Sequence, residues 1–119
     1  MDYRFKKTER LKSAERISEV FKQGLVLKKG FLIIRFVENN LDAHRIAFSV
    51  PKRKVASAVK RNLIKRRLRE VYRLNKPLLD EIWPDKKMDL VLLYLASEVK
   101  DYERIEANYQ KVLRSLNNA

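Results

Sequence analysis

The sequence predicts an α+β fold, with three helices packed on a mixed sheet of about four strands, and three observations point there. Apolar residues recur at helical spacing near both ends of the chain. Short β-branched or alternating runs lie between them, and a third helical segment divides those runs. The order helix, strands, helix, strand, helix is most simply buried as one sheet covered by helices on one layer. At 119 residues the chain reads as one domain, 1–119, in which 1–12 form a basic N-terminal arm. Hydrophobic content of 45% suffices for a core despite 36% charged residues.

The arm, "RFKKTERLK", is expected to be loose. Ser13 then stands where it caps a helix reaching Gln23, with Gly24 at the C′ position and Ile17, Val20 and Phe21 on one face. "GFLIIRFVE" reads as a strand and "NNLDAH" as a turn. "RIAFSV" alternates. Ile46, Phe48 and Val50 share one face, and Arg45, Ala47 and Ser49 the other, which is small and polar enough for a groove floor or solvent. Pro51 ends that strand, and the loop "PKRK" leads into a basic helix from about Ser57 to Leu74. Pro77 and Pro84 make "NKPLLDEIWPDKK" a connector. "MDLVLLYLA" is apolar on both faces, as a central strand is. The last helix starts near Asp101 and buries Tyr102, Ile105, Tyr109, Val112, Leu113 and Leu116.

Charge narrows the function. Lys and Arg number 28 against 15 Asp and Glu, a net +13. Such an excess repels itself in the compact state and attracts polyanions, nucleic acid before a membrane surface. No apolar run approaches the ~20 residues of a membrane span, and the first residues lack the apolar core of a secretion signal. The absence of cysteine excludes disulfides and thiolate metal sites. A cytoplasmic protein with no membrane partner is expected.

The charge concentrates in "KRNLIKRRLREVYR", Lys60 to Arg73, where half of the residues are basic. At ~100° per residue, with Arg61 at zero, Lys65, Arg69, Asn62, Arg73 and Arg66 fall within about 140°. Leu63, Leu74, Val71, Ile64 and Leu68 take the opposite arc, and Arg67, inside it, is expected to snorkel over the core edge. The helix is expected to dock by its apolar arc and present the cations as a ridge. Arginine predominates on that ridge, as suits bidentate phosphate recognition.

Catalytic chemistry is not visible. His44 stands alone in a turn and is expected at the surface. Asp80, Glu81 and Asp85 flank Trp83 as caps and solvated charge, and Glu103 and Glu106 are expected on the outer face of the last helix. No Gly-rich phosphate loop occurs, so no catalytic residue, metal ligand or cofactor site is expected. A DNA-reading helix-turn-helix lacks its first helix a short turn before the basic one.

The pattern Ser-Val, a basic loop, then Ala-Val-x-Arg-Asn-x-x-Lys-Arg-x-x-Arg-Glu resembles the signature of the bacterial ribonuclease P protein subunit. Here it is carried by Ser49, Val50, Lys52, Arg53, Ala58, Val59, Arg61, Asn62, Lys65, Arg66, Arg69 and Glu70. "ERLKSAERISEVFKQG" resembles that family's first helix, and "HRIAFSV" its strand before the motif. Departures are Val55, Ala56 and Ser57 where Gly-Asn is frequent, Leu63 where many members carry Arg, and Ile17 and Arg35 where aromatics are common.

The resemblance implies a left-handed crossover around the basic helix, against the right-handed default of parallel βαβ units. It also implies a ribonucleoprotein endonuclease that removes the 5′ leader of precursor tRNA, with catalysis and the required Mg²⁺ residing in the RNA subunit. One protein per catalytic RNA is implied. Lys52, Arg53, Lys54, Arg61, Asn62, Lys65, Arg66, Arg69 and Arg73 would bind RNA. Ile17, Phe21, Arg35, Arg45 and Ser49 would line a cleft for the leader. The alternative is another structured-RNA-binding protein, such as a ribosomal component, which would leave precursor tRNA cleavage unaffected.

Overall fold

The computed structural model of the chain describes residues 3–116. A 3₁₀ turn at Lys7–Glu9 precedes helix α1 (Ala14–Gln23) and strands β1 (Leu25–Lys29), β2 (Leu32–Glu38) and β3 (Arg45–Ser49). Helices α2 (Ala58–Leu74) and α3 (Lys76–Ile82), strand β4 (Met88–Tyr94) and helix α4 (Tyr102–Arg114) follow. The strands form one sheet ordered β1-β2-β4-β3, antiparallel except where β3 lies beside β4. The α+β class and the mixed four-stranded sheet are those the sequence predicts.

β4 lies between β2 and β3 and helices pack on both of its faces, so its sequence is nearly all apolar. Leu90, Leu92 and Tyr94 pair with Phe36, Ile34 and Leu32, and Leu90 and Leu92 also with Ile46 and Phe48. That face meets Ile64, Leu68 and Val71 of α2, Leu79 of α3, and Ile105 and Tyr109 of α4. On the other face Val37, Val91, Leu93 and Ala47 pack under Ile17 and Val20 of α1. Helices therefore cover both faces, not one layer. Val91 decides this, because an apolar residue at the centre of the supposedly open face needs cover.

Four α-helices form among the described residues, not three. Pro77 does not break the connector but lies in the first turn of α3, where its missing N–H costs nothing, and Leu78, Leu79 and Ile82 bury that helix. The run "GFLIIRFVE" becomes strand only from Leu32, and β1, not singled out in the sequence, pairs with it as a hairpin. Gly30 turns the hairpin with φ +56°, and a Cβ there would collide with the Asn108 side chain. That side chain clips the turn, accepting from Phe31 N–H (3.0 Å) and donating to Lys29 C=O (2.8 Å). Ser13 caps α1 as expected, its hydroxyl accepting from Arg16 N–H at 3.1 Å. Gly24 is extended (φ −71°) and not left-handed; close approach to the Val20 carbonyl, not φ, excludes a side chain.

The arm expected to be loose is docked. Leu11 N–H donates to the Ile46 carbonyl (3.1 Å), and Phe5 meets Tyr72 and Phe48 edge-on at 5.2 and 5.9 Å. Lys76 reaches the Arg4 carbonyl (2.8 Å) and the buried Glu9 carboxylate. His44, expected at the surface, is buried: its Nδ1 accepts from Met88 N–H at 3.0 Å, tying the β2–β3 turn to the start of β4. Glu106 is half-buried and accepts from Asn75 and Tyr102, both at 2.9 Å, so it faces α2 and not solvent.

Candidate nucleic-acid interface

Ser57 Oγ accepts from Lys60 N–H (3.2 Å) and sets the start of α2. The helix buries Ile64, Leu68, Val71 and Tyr72. Tyr72 falls about 20° from Arg61 on the wheel, inside the arc expected to be polar. Leu63 is only half-buried and Leu74 is 45% exposed. The docked face is thus turned by about 60° toward Arg61. Phe5 and Phe48 draw it there by packing on Tyr72, a contact between segments that a helical wheel does not contain.

This rotation divides the ridge. Arg61 is half-buried and donates to the carbonyls of Val55 and Ala56 at 3.0 and 2.7 Å, closing the loop onto the helix. Arg73 holds both carboxylate oxygens of Glu70 at 3.1 and 2.8 Å, and these hydrogen bonds keep the Glu70 carboxyl below its ordinary value. Asn62, Lys65, Arg66 and Arg69 make no hydrogen bond or ion pair among the described residues. Arg67 donates to the Lys100 carbonyl (2.7 Å), its stem over the core edge as expected. Ahead of the helix, Lys54 and Val55 N–H groups both donate to the Pro51 carbonyl, and this tight turn leaves Lys52 and Arg53 exposed and Lys54 half-buried.

The other residues expected to form a site lie on or beside the α1 face of the sheet. Register aligns Val26, Arg35, Val91 and Ala47 in one cross-strand row, and Lys28, Ile33, Leu93 and Ser49 in the next. Val20 covers Val91, while Ile33 and Ser49 stay half-buried and Val26 is 47% exposed, so the sheet beside α1 is left partly uncovered. Ile17 is half-buried toward the sheet. Phe21 is 39% exposed on the rim with the Arg35 guanidinium 5.2 Å over its ring. Arg45 does not face the cleft freely: its Nε and Nη2 both bond Asp89 at 2.7 Å.

Asp89 is the residue that sequence reading missed. It is fully buried, and also accepts from Arg16 Nε (2.7 Å) and Asn39 Nδ2 (2.9 Å). Arg16 in turn donates to the Glu38 carbonyl at 3.0 Å, so one carboxylate joins α1, β2, β3 and β4. The signal was present: an acid within a strand buried on both faces demands a cation, and Arg16 and Arg45 were the arginines of the elements that cover it.

The family model described as Ribonuclease P matches residues 5–117. The chain belongs to the ribonuclease P protein family. The ribonuclease P protein component of Porphyromonas gingivalis is 34% identical over 116 residues, covering 90% of this chain and 82% of that protein. That of Natranaerobius thermophilus is 35% identical over 106 residues, covering 87% and 86%. The solved ribonuclease P protein of Thermotoga maritima superposes with a TM-score of 0.76 at 26% identity, covering 90% of this chain and 96% of that one.

As a ribonuclease P protein, the chain is the protein subunit of a tRNA-processing endoribonuclease, and the ribosomal alternative is not favoured. Among the described residues no group of three His, Cys, Asp or Glu is placed to share a metal ion, and no helix is long and apolar enough to cross a membrane. Leu63, where many ribonuclease P proteins carry Arg, lies in a shallow hollow with Arg66, Arg67, Glu70 and Tyr102.

Proposed function

We propose that α2 holds the catalytic RNA of ribonuclease P while the cleft beside α1 holds the 5′ leader of precursor tRNA, so that the RNA removes the leader. The observation carrying this reading is the exposed set Asn62, Arg66 and Arg69, with half-buried Lys65 between them, none of which has a hydrogen-bond or ion-pair partner among the described residues. Unpaired cations on one rigid helix favour phosphate, and Asn62 can donate to and accept from a base edge or 2′-hydroxyl. Lys52, Arg53 and Lys54 extend the surface at the helix start, and Arg61 and Arg73 join it while bracing the loop and the N-terminal segment.

Catalysis and its Mg²⁺ belong to the RNA. The protein's charge offsets phosphate repulsion between ribozyme and substrate, which otherwise falls to bulk cations. One protein per RNA, in the cytoplasm, is consistent with a small cysteine-free chain. In the cleft Phe21 and the Arg35 guanidinium offer a stacked rim, Ile17 and Ser49 line the sides, and Arg45 acts from beneath through Asp89. Such a surface suits a single strand with little sequence preference.

The test is the affinity of the reconstituted holoenzyme for precursor against mature tRNA. Phe21→Ala and Arg35→Ala are each expected to lower the leader's contribution by about 1–3 kcal/mol. An unchanged leader contribution in folded variants would remove the cleft from the interface.

A further inference from the structure

A hollow of about 520 Å³ runs along the outer edge of β3. Its walls are Arg10 and Lys12 from the N-terminal segment and Lys65 and Arg69 from α2, with no acidic side chain among its lining. Lys12, Lys65 and Arg69 have no hydrogen-bond or ion-pair partner among the described residues. Four cations converging on one open groove repel one another, and an anion between them relieves the repulsion. The floor is aromatic and apolar: Phe5 and Phe48 meet edge-on at 5.9 Å, and the Arg10 guanidinium lies 5.0 Å over the Phe5 ring. At one end the lining includes Ile17 and Ala47, which belong to the cleft beside α1.

We infer that this groove is a second subsite for the single-stranded leader, gripping through Arg10 and Lys12 the nucleotides that lie beyond those in the cleft, with Lys65 and Arg69 of the RNA-holding helix forming its opposite wall. A single strand is the form that fits, because the groove passes between two protein walls and offers ring faces beside cations. Continuity with Ile17 and Ala47 makes the leader its occupant, and the docked N-terminal segment, whose cations the sequence placed on a loose arm, is then half of the site. The proposal rests on the cleft reading given above, which it extends past the edge of the sheet.

The experiment is a series of precursor tRNAs with leaders of increasing length, bound by the reconstituted holoenzyme. The protein carries Arg10→Gln with Lys12→Gln, or Phe21→Ala in the cleft, or Lys86→Gln with Lys111→Gln as a charge-matched control. With the wild type, affinity should rise with the first leader nucleotides and rise again with later ones. The Arg10 and Lys12 pair should lose the second rise by about tenfold, keep the first, and flatten the salt dependence by roughly 1.4, at ~0.7 per single-strand phosphate. The Lys86 and Lys111 pair should leave both rises in place. Equal loss for mature tRNA, or weaker assembly with the catalytic RNA, would assign the groove to another strand and overturn the inference. An intact second rise in the Arg10 and Lys12 pair would also overturn it, while the cleft reading stands if Phe21→Ala removes the first. If neither variant alters any rise, the cleft reading falls with it. Because Lys12 is exposed and unpartnered, Lys12→Gln alone serves if Arg10→Gln disturbs Phe5, with a loss of about threefold expected.

Discussion

Asp89 lies near the start of β4 on the α1-facing side at zero exposure, between the guanidinium groups of Arg16 and Arg45. Burial pushes its carboxyl up, but hydrogen bonds from Arg45, Arg16 and Asn39 outweigh burial and hold it below its ordinary value. A depressed folded value means its stabilisation is present above the unfolded value and is lost as pH falls through the folded one. Asp89→Ala leaves two arginines facing apolar neighbours and is expected to cost ~3–5 kcal/mol in urea unfolding. His44 works at milder pH. Burial, with Lys87 close by, pushes the imidazole below 6.5, so the folded form is the neutral ring that accepts from Met88 N–H. The unfolded chain gains a proton near pH 6.5, so stability should fall as pH drops below about 6.5 toward the lower folded value. It is the single histidine of the sequence, so His44→Asn should flatten that slope below about pH 6.5. An unchanged slope would show that the ring titrates freely. Asp89 was legible only as an acid within an apolar strand, and His44 not at all: it follows a polar turn, and its burial comes from Met88 and Trp83 far along the chain.

At the scale of elements, periodicity revealed α1, α2, α4, β3 and β4, because each buries a face wide enough to dominate its own sequence. It did not reveal β1, whose residues are exposed apart from Leu27 and which is held by pairing with β2 and by Asn108. It misread α3, since Pro77 in a first turn and Pro77 as a breaker look alike in a sequence. The ridge of α2 was legible as a set but not as a division of labour. Arg66→Ala should weaken binding to the catalytic RNA by about 1–3 kcal/mol with an unchanged melting temperature. Arg61→Ala should lower the melting temperature as well, because two loop carbonyls lose their donor. Matching losses of stability in both variants would contradict the assignment of Arg66 to the RNA and Arg61 to the loop.

At the scale of the molecule, the cations behind the net +13 fall into two groups. Cations that brace the fold, such as Arg16, Arg45 and Arg61, point at carboxylates or carbonyls, while Lys65, Arg66 and Arg69 have no hydrogen-bond or ion-pair partner among the described residues. The motif could name the basic helix but not this partition, which depends on the turn of α2 and the docking of the N-terminal segment. The most direct measurement is cleavage of precursor tRNA by a bacterial ribonuclease P RNA at low Mg²⁺, with and without this protein purified free of RNA. Cleavage should be slow with the RNA alone, restored on adding the protein, and absent with the protein alone. Failure to restore cleavage, or cleavage by the RNA-free protein, would contradict its place as the RNA-holding subunit of a ribozyme.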